Sequence, residues 1–121
     1  AELAISARKE GNSSMSGFDS REKAFEAKFQ QEQERGFKVQ ARRNFLFGMW
    51  AAEKLGLTGG DADVYAKDVV SAEFRETGDQ DVLLKVSLDL KSKGIEVSDH
   101  ILRVEMDRMM ETAREQIEGE S

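Results

Sequence analysis

Apolar positions along this chain fall into helical stripes separated by glycines. Phe18, Phe25 and Phe29 are spaced by seven and then four residues, which places them on one helix face. Asp19 and Glu22 have the spacing of a capping box, so the first helix is predicted to start near Ser20. The next positions on that face are Gln33 and Gly36, and the aromatic stripe stops there. Phe37, Ala41, Phe45, Met49 and Ala52 then follow at i+4 and i+3 steps, with Val39, Leu46 and Trp50 widening the face. They predict a second helix from about Phe37 to Leu55, the most hydrophobic of the chain and the expected centre of a core.

Gly56 suits the C′ position of that helix, and Thr58 with Asp61 offers a capping box for a third. The third helix, from about Gly60 to Glu76, turns Ala62, Tyr65, Ala66, Val69, Val70 and Ala72 inward, with Phe74 nearer the edge. Gly78 ends it and Asp79 is placed to cap the next. Leu84, Val86, Leu88 and Leu90 alternate with polar residues as a strand would, yet Val82/Val86, Leu83/Val86 and Leu84/Leu88 are also helical pairs. A single strand would have no partner, so the stretch is read as helix. Gly94 followed by Ile95 fits a Schellman ending, after which Ser98 or Asp99 caps the last helix. There Leu102, Met106, Met109, Ala113 and Ile117 form a clean stripe, opposite Arg103, Glu105, Asp107, Arg108, Glu111 and Glu115.

Four core helices with short connections imply an all-α, antiparallel four-helix bundle over residues 37–121. Residues 15–36 precede it as a mobile helical segment, because an isolated helix of that length is marginal in water until its stripe finds a surface. Residues Ala1 to Ser14 carry no useful stripe and are expected to be disordered, either a native segment or a leader before Met15.

Composition agrees with this plan. Hydrophobic residues make up 39% and charged residues 35%, so a core must be economical and confined to helix faces. With no proline and 10 glycines, little besides glycine breaks a helix. The absence of cysteine removes disulfides, thiolate metal sites and cysteine nucleophiles. No apolar run reaches the ~18 residues of a membrane helix, which predicts a soluble intracellular protein without direct membrane insertion. A net charge of −6 argues against broad nucleic-acid binding.

Candidate chemistry is sparse. Gly56-Leu57-Thr58-Gly59-Gly60-Asp61 lacks the Lys and Ser/Thr of a phosphate loop and reads as an interhelical turn. Ser98-Asp99-His100 holds the residue types of a hydrolytic triad, but neighbours in sequence do not adopt the relay geometry; a helix cap followed by a surface histidine is favoured. One histidine and no visible carboxylate cluster leave no metal site to propose. Met106, Met109 and Met110 suit core packing better than an adaptable groove. No base, nucleophile and charge stabiliser can be assembled, so an enzyme is not expected. Lys38, Arg42 and Arg43, with Arg35 upstream, form a basic patch that offers docking or nucleotide-phosphate contacts. With Trp50 or Tyr65 near a base, that patch gives an alternative reading as a nucleotide-sensing module, with weak ATP or ADP binding and no tightly held cofactor. The Phe18–Phe29 stripe either folds back as a fifth packing element or enters a partner's groove; a bundle already supplied with four helices favours the groove.

Phe18-Asp19-x-Arg21-Glu22-x-Ala24-Phe25-Glu26-Ala27-Lys28-Phe29, Phe37-Lys38, Ala41-Arg42-Arg43-Asn44 and Gly48-x-Trp50-Ala51-Ala52-Glu53 together resemble the zeta subunit family, the inhibitor of the alphaproteobacterial F-type ATP synthase. Tyr65-Ala66-Lys67, Gly78-Asp79-x-Asp81-Val82 and Ser98-Asp99-His100 continue the resemblance, which runs from Met15 onward. It implies a four-helix bundle with a mobile N-terminal inhibitory segment that enters a catalytic interface between alpha and beta subunits, near the gamma rotor, and blocks rotation in the hydrolysis direction. Carried onto this chain, the partner contacts fall on Phe18, Asp19, Arg21, Glu22, Phe25, Glu26, Lys28 and Phe29, with Lys38, Arg42 and Arg43 as docking contacts. The resemblance also implies a non-enzymatic regulator, cytoplasmic and peripheral on the membrane-bound synthase. The free protein is expected to be a monomer.

Overall fold

A computed structural model describes residues 16–73 and 79–120, with side chains from residue 20 onward. The expectation for Ala1 to Ser14, and those resting on Phe74 and Gly78, lie outside the described residues. Four helices follow one another: α1 Ser16–Lys54, α2 Gly59–Ala72, α3 Gln80–Ser92 and α4 Asp99–Glu120. There is no strand among the described residues. The alternating stretch from Val82 to Leu90 is therefore helix, in α3.

The stripes predict two helices, parted at Gly36 where the aromatic stripe stops, but α1 is one. A single interior glycine costs about 1 kcal/mol relative to alanine, and the strong helix formers around it, Gln33, Glu34 and Arg35 before and Lys38, Gln40 and Ala41 after, outweigh that cost. The chain nonetheless divides at this residue into two compact units, Ala1–Arg35 and Gly36–Ser121.

Within the second unit, α1 ends in a Schellman motif. The Leu57 N–H donates to Ala52 O at 2.9 Å and the Gly56 N–H to Glu53 O at 3.1 Å, with Gly56 at φ 81°. Gly94 closes α3 the same way, through Ile95 N–H to Leu90 O and Gly94 N–H to Lys91 O, both 2.9 Å. Ile95 is half-buried and packs on the core, as the C″ residue of such a motif should. Of the two candidates to cap α4, Ser98 does so, its Oγ accepting from the Ile101 N–H at 3.2 Å. The expected caps at Thr58 and Asp79 make no side-chain bond to their helices. Asp79 is used elsewhere, against Arg43.

The core gathers Phe47, Ala51, Val69, Val82, Val86, Leu90, Leu102 and Met106, with Trp50, Tyr65, Leu83 and Met109 packed around it. α2 packs on α3 and α3 on α4. Most predicted stripes are the buried ones: Ala62, Ala66, Val69 and Ala72 on α2, and Leu102, Met106, Ala113 and Ile117 on α4. Of the stripe chosen for α1, Phe37, Ala41, Phe45, Met49 and Ala52, only Ala52 is buried. Phe37 is 69% exposed and Met49 37% exposed, while the buried residues are Arg43, Asn44, Phe47, Gly48, Ala51 and Ala52. The reason is Gly48. A Cβ there would lie 2.8 Å from Ala66 Cα and 3.1 Å from Val69 Cβ, so α1 and α2 meet backbone to backbone at this point. That close approach selects the face carrying Asn44, Phe47, Gly48 and Ala51, about 100° round the helix from the Phe45–Met49 row.

Candidate functional site

The first unit carries the candidate inhibitory residues on helical backbone. Every side chain from Ser20 to Arg35 is exposed. Phe25 is 72% exposed and Phe29 52%, one helical turn apart, so the two rings share an exposed face. Arg21, Glu22, Glu26 and Lys28 surround them, all exposed. Phe18 and Asp19 belong to α1, but their side chains are outside the described set.

The basic patch behaves differently. Lys38 is exposed. Arg42, one turn on, donates through Nη1 to Gln116 Oε1 and through Nη2 to Glu120 Oε2, both at 2.7 Å, tying α1 to the end of α4. Arg43 is only 3% exposed, and its guanidinium lies 3.0 Å from Glu73 Oε1 and 2.9 Å from Asp79 Oδ1. Its Nε donates to Asn44 Oδ1 at 3.0 Å, and Asn44 Nδ2 donates to the same Glu73 carboxylate. Arg103 approaches Asp79 from α4 at 3.9 Å. The result is a buried polar junction linking α1, the end of α2, the start of α3 and α4. The structure thus distributes the three basic residues over three settings and does not converge them on one anion.

The aromatic groups once paired with that patch are also engaged. Trp50 stacks on Phe47 with ring centroids 5.6 Å apart, and Lys54 Nζ sits 5.0 Å from its centroid. Tyr65 donates its hydroxyl to Asp89 Oδ2 at 2.8 Å, while Lys85 Nζ bonds the same oxygen at 3.1 Å and lies over the Tyr65 ring. Burial, then the Asp89 hydrogen bond and the negative charges of Asp89 and Asp68, push the Tyr65 phenol well above its ordinary range, so it stays a neutral donor.

Gly56 to Thr58 lie in the α1–α2 turn and Gly59 to Asp61 open α2, and Ser98 is committed to its cap beside an exposed His100. Met106 is buried, with Met109 and Met110 half-buried. No helix among the described residues is long and apolar enough to cross a membrane, and no group of three or more His, Asp or Glu among them is placed to hold a metal ion. The sequence reading missed Asn44, Glu73 and Asp79 as the partners of Arg43. Its one available signal was a polar Arg-Asn pair embedded in an apolar run, Arg43-Asn44-Phe45-Leu46-Phe47.

These features define a small all-α protein in which a helical bundle is preceded, in sequence, by helical residues carrying an exposed aromatic pair. A family model described as ATPase inhibitor subunit zeta matches residues 15–116, and the chain belongs to that family. Its family role is that of an inhibitor subunit of an ATPase, regulatory in kind. Among solved structures, one determined in solution by NMR is similar at 41% identity and a TM-score of 0.63, covering 70% of this chain and 96% of its own. No curated protein matches the chain.

Proposed function

We propose that this protein inhibits ATP hydrolysis by an F-type ATP synthase by inserting residues 15–36 at a catalytic interface between alpha and beta subunits, near gamma, so that rotation in the hydrolysis direction is blocked. It acts by steric occupation, without chemistry of its own, as a monomer that joins the cytoplasmic side of the membrane-bound synthase. The contacts fall on Phe18, Asp19, Arg21, Glu22, Phe25, Glu26, Lys28 and Phe29. The observation that carries this reading is the exposure of Phe25 and Phe29, 72% and 52%, on one face of a formed helix. Full burial of such a ring contributes about 1.5–3 kcal/mol, so the pair supplies anchors of the size that dominate helix-in-groove interfaces. Charges of both signs around them set register and encounter rate more than affinity.

The test is inhibition of ATP hydrolysis by purified synthase, comparing the full chain with its Phe25→Ala/Phe29→Ala variant. The half-inhibitory concentration should rise about 100-fold, since loss of two anchors removes about 3 kcal/mol of binding. The bundle should melt as before, both rings being exposed. Undiminished inhibition by the variant would refute the assignment.

A further inference from the structure

Beyond the inserting segment, we infer that the outer row of α1 in the second unit, Phe37, Ala41, Phe45 and Met49, is a second contact surface for the same ATPase. This rests on the function proposed above and adds a site to it. The four residues follow at i+4 steps, the spacing of the ridge that one helix packs into the groove of another. Phe37 is 69% exposed and Met49 37% exposed, with Ala41 and Phe45 half-buried between them. The row is not surplus from a poorly filled core. On the buried side of the same helix, Phe47, Ala51 and Ala52 are fully enclosed, and Gly48 brings α1 against Ala66 and Val69 with no room for a methyl group. Single exposed apolar residues need no explanation, but an ordered row of two phenylalanines and a methionine at ridge spacing does.

Chain connectivity identifies the occupant. Phe37 follows Phe29 by eight residues, which span at most about 29 Å even when fully extended. Once Phe25 and Phe29 are held by the ATPase, the row is confined to that distance from the same surface, at a high effective concentration for a second contact. A second copy of this chain is a poorer occupant, because each copy brings a net charge of −6. Lys38, exposed beside Phe37, specifies the chemistry of the receiving surface: an apolar groove with an acidic edge.

The experiment places the photoreactive residue benzoylphenylalanine at position 37 of the full chain and, separately, makes the Phe37→Ser/Met49→Ser variant, whose positions are exposed. Irradiation in the inhibited complex should join position 37 to an ATPase subunit. The double variant should raise the half-inhibitory concentration about tenfold, the loss of one modest hot spot. An adduct formed only between two copies of this chain, or no adduct with the ATPase, overturns the inference even where the serine variant folds poorly. A folded serine variant with unchanged inhibition overturns it as well. Where Phe25→Ala/Phe29→Ala abolishes inhibition and the row variant does not change it, the second surface falls and the inserting segment stands. Where Phe25→Ala/Phe29→Ala leaves inhibition intact, the parent reading falls.

Discussion

Phe25 and Phe47 belong to one helix, yet Phe25 leaves 72% of its surface exposed and Phe47 none. Nothing intrinsic to the residue separates them. Around Phe25 the helix repeats Glu, Lys and Gln, which form helix readily but offer no second apolar face. Around Phe47 it carries Gly48 and Ala51 on the same side, small enough for α2 to approach until backbones touch. The comparison shows that burial here follows the smallness of the neighbours as much as the hydrophobicity of the residue itself. Small neighbours make a core helix, whereas charged ones leave a phenylalanine exposed.

The largest effect that sharpens this contrast lies at Arg43, the charged residue that nonetheless sits on the buried side. Arg43→Ala strips Glu73 and Asp79 of their shared cation and leaves Asn44 without one of its partners. Removing one member of a buried ion pair costs about 3–5 kcal/mol, and the partial exposure of Asp79, 34%, places the expected loss near the lower figure. Urea denaturation of the full chain measures it. A loss below about 1 kcal/mol would show that the junction is a solvated surface pair, and that charge and burial were never in conflict in this helix.

That residue also marks where the sequence stopped being informative. The faces of α2 and α4 were legible because each is a simple amphipathic stripe: Ala62, Ala66, Val69 and Ala72 on one, Leu102, Met106, Ala113 and Ile117 on the other. The endings at Gly56 and Gly94 were legible because a positive φ, 81° and 75°, favours glycine, and a hydrophobic residue follows each. The register of α1 was not legible. Apolar residues occupy more than one side of it, so periodicity alone selected Phe37, Ala41, Phe45, Met49 and Ala52, of which only Ala52 is buried. The true face holds Arg43 and Asn44, whose acidic partners lie in a distant part of the chain that no local spacing rule reaches. The Phe25/Phe29 stripe was legible for the opposite reason, since it stands alone in a charged sequence.

Gly48→Ala gives the next effect. The added methyl gains about 1 kcal/mol in helix propensity but meets Ala66 Cα at 2.8 Å, a backbone atom that cannot rotate aside. Overpacking of this kind costs about 1–3 kcal/mol, with contact against backbone at the upper end, so the net change should be a destabilisation of up to about 2 kcal/mol, read as a lower denaturation midpoint. A more stable variant would mean that close approach is not what selects the buried face of α1, and the explanation for the exposed Phe37 row would go with it.

Gly36→Ala is the smallest change and has the opposite sign. Among the described residues, nothing beyond the adjoining turns of its own helix lies within 4 Å of a Cβ built at Gly36, in contrast to Gly48. The substitution removes an interior glycine from α1 and should favour its helical state by about 0.5–1 kcal/mol. Because Gly36 sits where the two units divide, this gain appears chiefly as added helix signal in far-ultraviolet circular dichroism; the denaturation midpoint of the bundle should barely move. Inhibition should survive, with a half-inhibitory concentration within about fivefold of the original, because 0.5–1 kcal/mol of helix preference corresponds to about a two- to fivefold change in any equilibrium it biases. If Gly36 instead serves as a hinge that the inserting segment must bend, the same substitution will raise helix content and weaken inhibition together. That pairing would show that the glycine is kept for bending, and that α1 is divided at Gly36 in use although it is helical through it in the structure.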